Sequence, residues 1–320
     1  MSGTSDRFAG AAEALLKQAE LSPGEVVERF EAALDVDRWR RLVPFASIEE
    51  KVVSGDHARI APPDAVREKG RLDEDGYFCL KQAFDRERIA RMHDIARAVR
   101  ADGWPVAFAF VYDDFWSVAR TPSISAFLEA SLGPDFLQNT VVWAHWVPDA
   151  KGVAGWRPHD DYRGGGDTFL SLWIPLSEAT VDNGCMFLVP DRRSREVADT
   201  IEAQDSLPDT LFRRTLQDVV ALPVPPGSLI GWRGDVLHWG GANSGSAVPR
   251  VSLALEFRSR DVKTSRFERP LIDPRAALPP FRTRLFAIVK ALREYTKFEP
   301  LLLRHLPLAE RIFAETSPRE

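Results

Sequence analysis

The stretch WRPHDDYRGGG at residues 156–166 places a histidine and a carboxylate, His159 and Asp161, two positions apart. On a β-strand, residues i and i+2 point to the same face. One imidazole and one carboxylate can therefore reach a common metal ion. A second histidine in a comparable setting, His238, follows 79 residues later, beyond a series of strand-like runs.

Two histidines and one carboxylate can form a facial triad, which occupies one face of an octahedral ion and leaves three positions open. This arrangement is the signature of non-heme Fe(II) oxygenases. Zinc more often recruits thiolates or closes its site with a fourth ligand. The residues His159, Asp161 and His238 therefore predict an Fe(II) site with room for O₂ and a co-substrate.

An arginine, Arg250, lies twelve residues beyond His238 and opens the strand-like run RVSLALEF. A 2-oxoglutarate co-substrate would chelate the iron through its keto acid and leave a distal carboxylate that needs a cation. The planar guanidinium of Arg250 can supply a bidentate contact. Ser252 shares the face of Arg250 and can add a hydroxyl donor. The expected cofactors are thus Fe(II), 2-oxoglutarate and O₂.

Short strand-like runs, separated by turns rich in glycine, proline and asparagine, dominate the middle of the chain. They lie at residues 140–147, 168–176, 185–189, 228–232 and 251–257. Short strands with hairpin turns predict an antiparallel sandwich or barrel. Helical spacing of apolar residues predicts helices within the first 45 residues and again from Phe281 to Tyr295. Ser22-Pro23-Gly24-Glu25 predicts an N-terminal helix cap, with proline in the first turn.

The segment from Trp104 to Trp116 is rich in aromatic residues and is predicted to be extended. Within it, Asp113 and Asp114 could suggest the paired carboxylates of a glycoside hydrolase. Adjacent side chains on a strand diverge, so this pairing is poor.

At this point the sequence resembles the phytanoyl-CoA dioxygenase family of Fe(II)/2-oxoglutarate-dependent oxygenases, from about Leu72 to Phe257. The resemblance rests on several short motifs, which are LDEDGY at 72–77, HDD at 159–161, WIPL at 173–176, DNGCM at 182–186, PGS at 226–228 and the run from His238 to Arg250. There are also departures. Asp160 stands where the family often has Gln, and Trp239-Gly240-Gly241 stands where it commonly has Gly-Ser after the histidine.

The resemblance implies a mainly β fold with flanking helices (α+β): a double-stranded β-helix, or cupin-like jelly roll, buttressed by N- and C-terminal helices. It implies iron at His159, Asp161 and His238. It also implies 2-oxoglutarate at Arg250, with Trp173 nearby. Ser252 could replace the hydroxyl that the Gly-Ser departure removes.

We expect three regions along the chain. Residues 1–70 form an N-terminal helical extension, 71–260 the jelly-roll oxygenase domain, and 261–320 a C-terminal helical segment packed on the same domain. Within the domain, the charged insertion 191–220 is either a solvated, salt-bridged surface segment or a lid over the cavity.

Four residues are candidates for contact with the substrate. Trp143 and His145 alternate along one predicted strand and can face the interior, although a core histidine is the commoner outcome. Arg192 and Arg193 lie at the start of the insertion and could meet an anionic group of a small-molecule substrate. The sequence leaves open the oligomeric state and whether the substrate is an acyl-CoA, an amino acid or a secondary metabolite.

Charge and hydropathy argue against several other classes of protein. The chain has 42 basic and 47 acidic residues, the opposite balance from a nucleic-acid-binding surface. No apolar run approaches the ~18 residues of a membrane span, and the N-terminus does not resemble a secretory signal. Cys79 and Cys185 make no disulfide framework. We therefore expect a cytoplasmic protein without nucleic-acid or membrane partners.

The expected activity is oxidation of a small organic molecule, most commonly hydroxylation of a C–H bond, with release of succinate and CO₂. Asp161 favours an oxygenase over a halogenase, because a halogenase leaves that ligand position vacant for chloride. The alternative is a non-redox jelly-roll metalloprotein, either a binding module or a metal-dependent hydrolase or isomerase. Arg250 discriminates between them, since it makes little sense without a dicarboxylate co-substrate.

Overall fold

Helices flank a set of antiparallel strands in the computed structural model of the chain, which describes residues 21–52, 58, 60–149, 155–162, 165–204, 208–264 and 268–318. The α-helices are α1 (Pro23–Leu34), α2 (Val36–Leu42), α3 (Pro62–Asp75), α4 (Arg86–Ala101), α5 (Asp113–Trp116), α6 (Pro122–Leu132), α7 (Asp191–Gln204), α8 (Asp209–Asp218), α9 (Phe281–Tyr295) and α10 (Leu306–Thr316). The strands are β1 (Tyr77–Leu80), β2 (Leu137–Val147), β3 (Phe169–Pro175), β4 (Met186–Leu188), β5 (Val220–Leu222), β6 (Leu229–Arg233), β7 (His238–Gly240) and β8 (Arg250–Arg258). Short 3₁₀ helices lie at Val106–Val111, Val118–Arg120, Gly166–Thr168 and Pro300–His305. Within these ranges, no helix has both the length and the apolar character needed to cross a bilayer.

Two antiparallel sheets form the centre of the molecule. The larger has the strand order β1-β6-β3-β8-β2 and the smaller the order β5-β4-β7. Side chains of both sheets meet in one apolar cluster, to which Trp173 and Ile230 contribute from the larger sheet and Met186 and Leu188 from the smaller. The predicted jelly roll with flanking helices is confirmed, and within the described residues the two sheets do not close into a barrel.

All five predicted strand-like runs are strands, with ends shifted by a few residues. The sequence did not predict β5 and β7. Each has three residues and, unlike the equally short β4, does not lie within an apolar run as long as residues 185–189. Both lie in the smaller sheet, where they pair with β4.

The outer face of the larger sheet packs against helices. On β8, the outward residues Val251, Leu253, Leu255 and Phe257 are all buried in the main core. Helix α9 lies on β2, and α10 packs against both α9 and α1. Helices from both ends of the described chain therefore support this part of the fold.

The N-terminal helix α1 begins where the sequence predicts a cap. The Ser22 hydroxyl accepts the N–H of Glu25 over 3.3 Å, and the Glu25 carboxylate accepts the N–H of Ser22 over 2.8 Å. This capping box satisfies two N–H groups that a helix end leaves unpaired. The helical prediction for residues 1–20 lies outside the described residues.

The prediction that Trp104–Trp116 is extended is wrong. Val106–Val111 forms a 3₁₀ helix, and α5 follows after Tyr112. The 3₁₀ helix lies among α4, α9 and β2, and every residue from Val106 to Trp116 is buried. Because its side chains are covered on all sides, the segment has no polar face whose spacing could distinguish a helix from a strand.

The adjacent carboxylates Asp113 and Asp114 are buried in ion pairs rather than in a catalytic site. Asp113 lies 2.7 Å from the guanidinium of Arg284 on α9, and both side chains are fully buried. Asp113 also accepts main-chain N–H groups from the segment that follows α2. Asp114 pairs with Arg88 and Arg91 of α4. The Asp113–Arg284 pair thus joins an N-terminal segment to the C-terminal helices.

Arg284→Met should lower the free energy of unfolding by about 3–5 kcal/mol, because it leaves the Asp113 carboxylate buried without its cation. Urea denaturation followed by circular dichroism measures this change. Arg97→Met is the control, since it removes an exposed ion pair with Asp94 that is worth at most ~1 kcal/mol. A loss for Arg284→Met no larger than that of the control would contradict the prediction.

Candidate active site

Main-chain hydrogen bonds place the two predicted histidine ligands side by side. The N–H of His159 donates to the carbonyl of His238 over 3.1 Å, and the N–H of His238 donates to the carbonyl of His159 over 2.9 Å. Their ring centroids are 4.3 Å apart. This isolated antiparallel bridge joins the loop before β3 to the start of β7.

Each imidazole is oriented by a carbonyl oxygen. The Nδ1–H of His159 donates to the carbonyl of Arg157 over 2.8 Å, and the Nδ1–H of His238 donates to that of Val236 over 3.0 Å. Because Nδ1 carries the proton in each case, Nε2 of the neutral ring is left as the metal-binding atom. Burial, reinforced by the neighbouring His238, lowers the pKa of His159 to about 4, so this ring is neutral near pH 7.

Asp161 completes the cluster with one of its two carboxylate oxygens. Its Oδ1 lies 3.7 Å from Nε2 of His159 and 3.5 Å from Nε2 of His238. Its Oδ2 accepts hydrogen bonds from the Ser171 hydroxyl over 2.6 Å and from the Trp232 indole over 2.9 Å. Burial acts to raise the pKa of Asp161, but the two histidines and these hydrogen bonds outweigh it and hold the pKa below its ordinary value. The ionised carboxylate therefore has one oxygen anchored and one facing the histidines.

Sequence reasoning missed Ser171 and Trp232, which anchor that carboxylate. Both lie in runs predicted as strands, and they are direct cross-strand partners on β3 and β6. Side chains opposite each other in an antiparallel pair lie on the same face. Neither strand-like run indicates this role by itself. Only the knowledge that β3 and β6 pair with each other could have identified the two residues.

The donor set fits a divalent iron ion. The ligand atoms of His159, Asp161 and His238 lie within 4.8 Å of one another, and in the described part of the chain no other group of histidine, cysteine or acidic residues does the same. Two imidazoles and one carboxylate, without a thiolate in the cluster, match the facial triad of non-heme Fe(II) enzymes.

These three residues line a cavity of about 570 Å³, its open mouth included. Aromatic rings provide much of the wall, including those of Trp143, Trp156, Trp173, Trp232 and Tyr295. The cavity also contains His145, Arg250 and Ser252. The structure therefore brings eight of the ten site residues suggested by the sequence into one cavity.

Arg250 is a buried cation in the wall of this cavity, with 1% of its surface exposed. Its Nη1 donates to the Ser252 hydroxyl over 3.1 Å, and its guanidinium carbon lies 5.7 Å from the centre of the Trp173 ring. Burial lowers the pKa of Arg250 to about 10, which leaves it positively charged near pH 7. Its Nε finds no hydrogen-bond partner among the described residues. The guanidinium thus retains a donor for an anionic ligand.

Gly240 leaves the space that this guanidinium needs. A Cβ at position 240 would lie 2.9 Å from Nη2 of Arg250, closer than side-chain carbons normally approach. Gly240 belongs to the Trp239-Gly240-Gly241 departure from the family pattern. The departure therefore does not disturb Arg250, because the residue that touches its guanidinium is a glycine.

His145 faces the cavity from β2, directly opposite Ser252 of β8. Its Nε2 lies 3.5 Å from a carboxylate oxygen of Glu299, which follows α9. Burial, then the positive charge of Arg250, lowers the pKa of His145 to about 3, while burial raises the pKa of Glu299 to about 7. Near pH 7 His145 is therefore neutral. Glu299 was also missed, because nothing in the sequence of the C-terminal segment connects it with His145, 154 residues earlier.

The arginines of the 191–220 insertion lie elsewhere, so the structure does not bring Arg192 and Arg193 to the cavity as expected. Arg193 is buried, and its guanidinium pairs with the carboxylates of Glu196 and Asp218. Arg192 is exposed. The physical reason is that acidic residues of the insertion itself, one three positions along α7 and one at the end of α8, already neutralise Arg193.

A jelly roll that carries a His-x-Asp…His cluster and a buried arginine in one cavity has the architecture of an Fe(II)/2-oxoglutarate-dependent oxygenase. The sequence profile of the phytanoyl-CoA dioxygenase (PhyH) family matches residues 72–252, which is more than half of the chain. The chain belongs to this family.

Two curated proteins are similar to part of the chain. It is 29% identical over 185 residues to phytanoyl-CoA dioxygenase domain-containing protein 1 of Mus musculus, and the matched region covers 53% of this chain and 57% of the mouse protein. It is 29% identical over 129 residues to phytanoyl-CoA dioxygenase 1 of Oryza sativa subsp. japonica, and the matched region covers 36% of this chain and 43% of the rice protein. The chain thus spans about half the length of the curated relatives it matches.

Solved structures share the fold at low sequence identity. SnoN, described as a non-heme alpha ketoglutarate dependent epimerase from nogalamycin biosynthesis, is 21% identical with a TM-score of 0.51, over 62% of this chain and 84% of SnoN. The non-heme monooxygenase ThoJ, solved as a nickel complex, is 17% identical with a TM-score of 0.52, over 72% of this chain and 97% of ThoJ. These likenesses support the jelly-roll architecture.

Ser171→Ala should weaken Fe(II) binding by about 10–100-fold, because Asp161 loses one of the two hydrogen bonds that orient it. Anaerobic titration of the metal-free protein with Fe(II) measures the affinity. Ser131→Ala, which removes a hydroxyl bonded to a main-chain carbonyl of α6, is the matched control and should bind iron like the wild type. Equal affinities for the two variants would show that the Ser171 hydroxyl does not support the metal site.

Proposed function

We propose that the protein is an Fe(II)- and 2-oxoglutarate-dependent dioxygenase that hydroxylates an unactivated C–H bond of a small organic molecule, releasing succinate and CO₂. The observation that carries this proposal is the buried, positively charged Arg250, which shares a cavity with the histidine–carboxylate cluster. A dicarboxylate co-substrate accounts for such a cation. A metal-dependent hydrolase or isomerase has no general need for it.

The residues of the chain divide into those for the metal and those for the co-substrate. His159, Asp161 and His238 would hold iron and leave its remaining positions free. Arg250 would receive the distal carboxylate of 2-oxoglutarate, with the Ser252 hydroxyl beside it. The neutral His145 adds no charge that would compete with the arginine for the anion.

The bound iron and 2-oxoglutarate supply the oxidising chemistry, and the protein supplies binding, orientation and shielding. The aromatic walls around Trp143, Trp156 and Tyr295 limit the water that can reach the metal site. A concave wall of aromatic side chains with a few convergent polar groups is typical of small-molecule sites. Because no protein acid or base is obligatory for hydroxylation, these residues are sufficient for the proposed reaction.

Formation of succinate from 2-oxoglutarate tests the proposal directly. Purified protein supplied with Fe(II), ascorbate and O₂ should convert 2-oxoglutarate to succinate, and a metabolite screen should identify compounds that accelerate the conversion and become hydroxylated. A protein that binds Fe(II) but forms no succinate, with or without candidate substrates, would instead support the hydrolase, isomerase or binding-module alternative.

Arg250→Ala should raise the KM for 2-oxoglutarate by two or more decades. Loss of one partner from a buried charge pair costs ~3–5 kcal/mol, and each decade corresponds to ~1.4 kcal/mol. Arg250→Lys keeps the charge but loses the planar fork, so its KM should fall between those of the wild type and the alanine variant. Fe(II) affinity should change little, and an unchanged KM in Arg250→Ala would mean that another residue binds the co-substrate.

Asp161→Gly should abolish hydroxylation, because Asp161 supplies the carboxylate ligand of the proposed site. Mass spectrometry of the product made from an accelerating substrate measures the outcome in the presence of chloride. The wild type should yield hydroxylated product without chlorinated product. Efficient chlorination by the unaltered protein would contradict its assignment as an oxygenase.

A further inference from the structure

Strand β8 carries polar groups at both ends of its cavity-facing row. Arg250, Ser252, Ala254 and Glu256 alternate along the strand, and all four line the cavity. With a rise of ~3.3 Å per residue, the backbone positions of Arg250 and Glu256 lie roughly 20 Å apart. The proposed function uses the arginine end of this row and leaves the carboxyl at the other end without a role.

Glu256 lies on the same side of the cavity as the anchored carboxylate of the metal site. Its direct cross-strand partner on β3 is Ser171, the residue whose hydroxyl holds Asp161. The metal cluster is therefore flanked by Arg250 toward one end of β8 and by Glu256 toward the other. If 2-oxoglutarate occupies the arginine end, the space beside Glu256 remains for the substrate.

Neutral polar groups hold the Glu256 carboxyl in place. The side-chain amide of Asn139 donates to its Oε2 over 3.0 Å, and the Tyr295 hydroxyl is within hydrogen-bonding reach. The nearest lysine, Lys290, donates to the Thr140 hydroxyl over 2.7 Å, and Glu256 makes no ion pair with any described residue. Burial, and then the nearby Asp161 carboxylate, raises the pKa of Glu256 to about 8, so this carboxyl keeps its proton near pH 7 in the absence of a ligand. Its oxygens remain acceptors in the cavity wall, and an ammonium group bound beside it would supply the cation that the described residues do not.

Aromatic rings surround the space next to this carboxyl. The centroid of Tyr295 lies 4.6 Å from that of Trp143 and 4.4 Å from that of Trp156. Ring faces beside an acidic group favour a hydrocarbon body that carries an amine or a hydroxyl, because ring faces attract cations and pack against apolar groups. The same ring faces disfavour a carboxylate, because they offer no donor to its charge.

We propose that Glu256, positioned by Asn139 and Tyr295, selects the substrate by accepting a hydrogen bond from an amine or hydroxyl group. This proposal rests on the proposed function, because it assigns the arginine end of the cavity to 2-oxoglutarate. It replaces the expectation of an anionic substrate group, which depended on Arg192 and Arg193. The group bound beside Glu256 is neutral or cationic.

Matched probes test this selection. The Fe(II)- and 2-oxoglutarate-loaded protein is titrated without O₂ against 2-phenylethylamine, 2-phenylethanol and 3-phenylpropanoate, by calorimetry. The wild type should bind the amine about tenfold or more tighter than the carboxylate, since a hydrogen bond to a charged group contributes ~1.5–3 kcal/mol, and the alcohol should fall between the two. Glu256→Leu should abolish the preference, whereas the isosteric Glu256→Gln should retain the alcohol and lose about tenfold in amine affinity.

Controls separate a local effect from misfolding. Glu294→Gln changes an exposed acid next to Tyr295 that pairs with Lys297, and it should leave all three affinities unchanged. Circular dichroism and melting temperature show whether each Glu256 variant is folded, and the isosteric Glu256→Gln keeps the test valid if Glu256→Leu is not. The proposal is overturned if the wild type binds none of the probes, if it binds the carboxylate as tightly as the amine, or if a folded Glu256→Leu keeps the preference.

The same wild-type preparation is assayed for succinate. If no succinate forms, the proposed function fails, whatever the probes do. If succinate forms but the probes show no preference that depends on Glu256, only the substrate assignment fails.

Discussion

The two main-chain hydrogen bonds between His159 and His238 are the contact on which the rest of the site depends. They join a loop that precedes the central strand β3 to the beginning of a three-residue strand in the other sheet. Neither segment has enough regular structure to fix a side chain by itself. Joined, they place two imidazoles and Asp161 within the reach of one ion, and the packing of the two sheets holds that arrangement in register.

The cavity is organised by the alternation of a single strand. One face of β8 is apolar and buried under helices, while the other presents Arg250, Ser252 and Glu256 to the cavity. A shift of one residue in the pairing of this strand would exchange the two faces. Two neighbours, β2 and β3, pair with β8 along most of its length, so the register is fixed from both sides. The positions of the charged groups are therefore set by the same pairing that builds the core.

The sequence predicted the elements whose signal is local. The strands show alternating residue types along short runs, and the capping box at Ser22 is a pattern of four consecutive residues. The metal cluster is visible as two histidines and an aspartate at a known spacing. The features that escaped prediction depend on distant partners. Ser171 and Trp232 are meaningful only when β3 and β6 are paired, and Glu299 reaches His145 from the other end of the chain. Arg193 pairs with Glu196 and Asp218, which agrees with the salt-bridged alternative for the insertion.

Helix α9 contributes Tyr295 to the cavity wall, although it lies far along the chain from every metal ligand. The loop before β3 and the strands β7 and β8 supply the groups for iron and co-substrate, whereas a separate C-terminal element supplies part of the surface against which a substrate would pack. None of the three metal ligands lies on α9. Substitutions along α9 could reshape what the cavity accepts while the metal centre stays intact, and the buried Asp113–Arg284 pair would keep the altered helix docked in place.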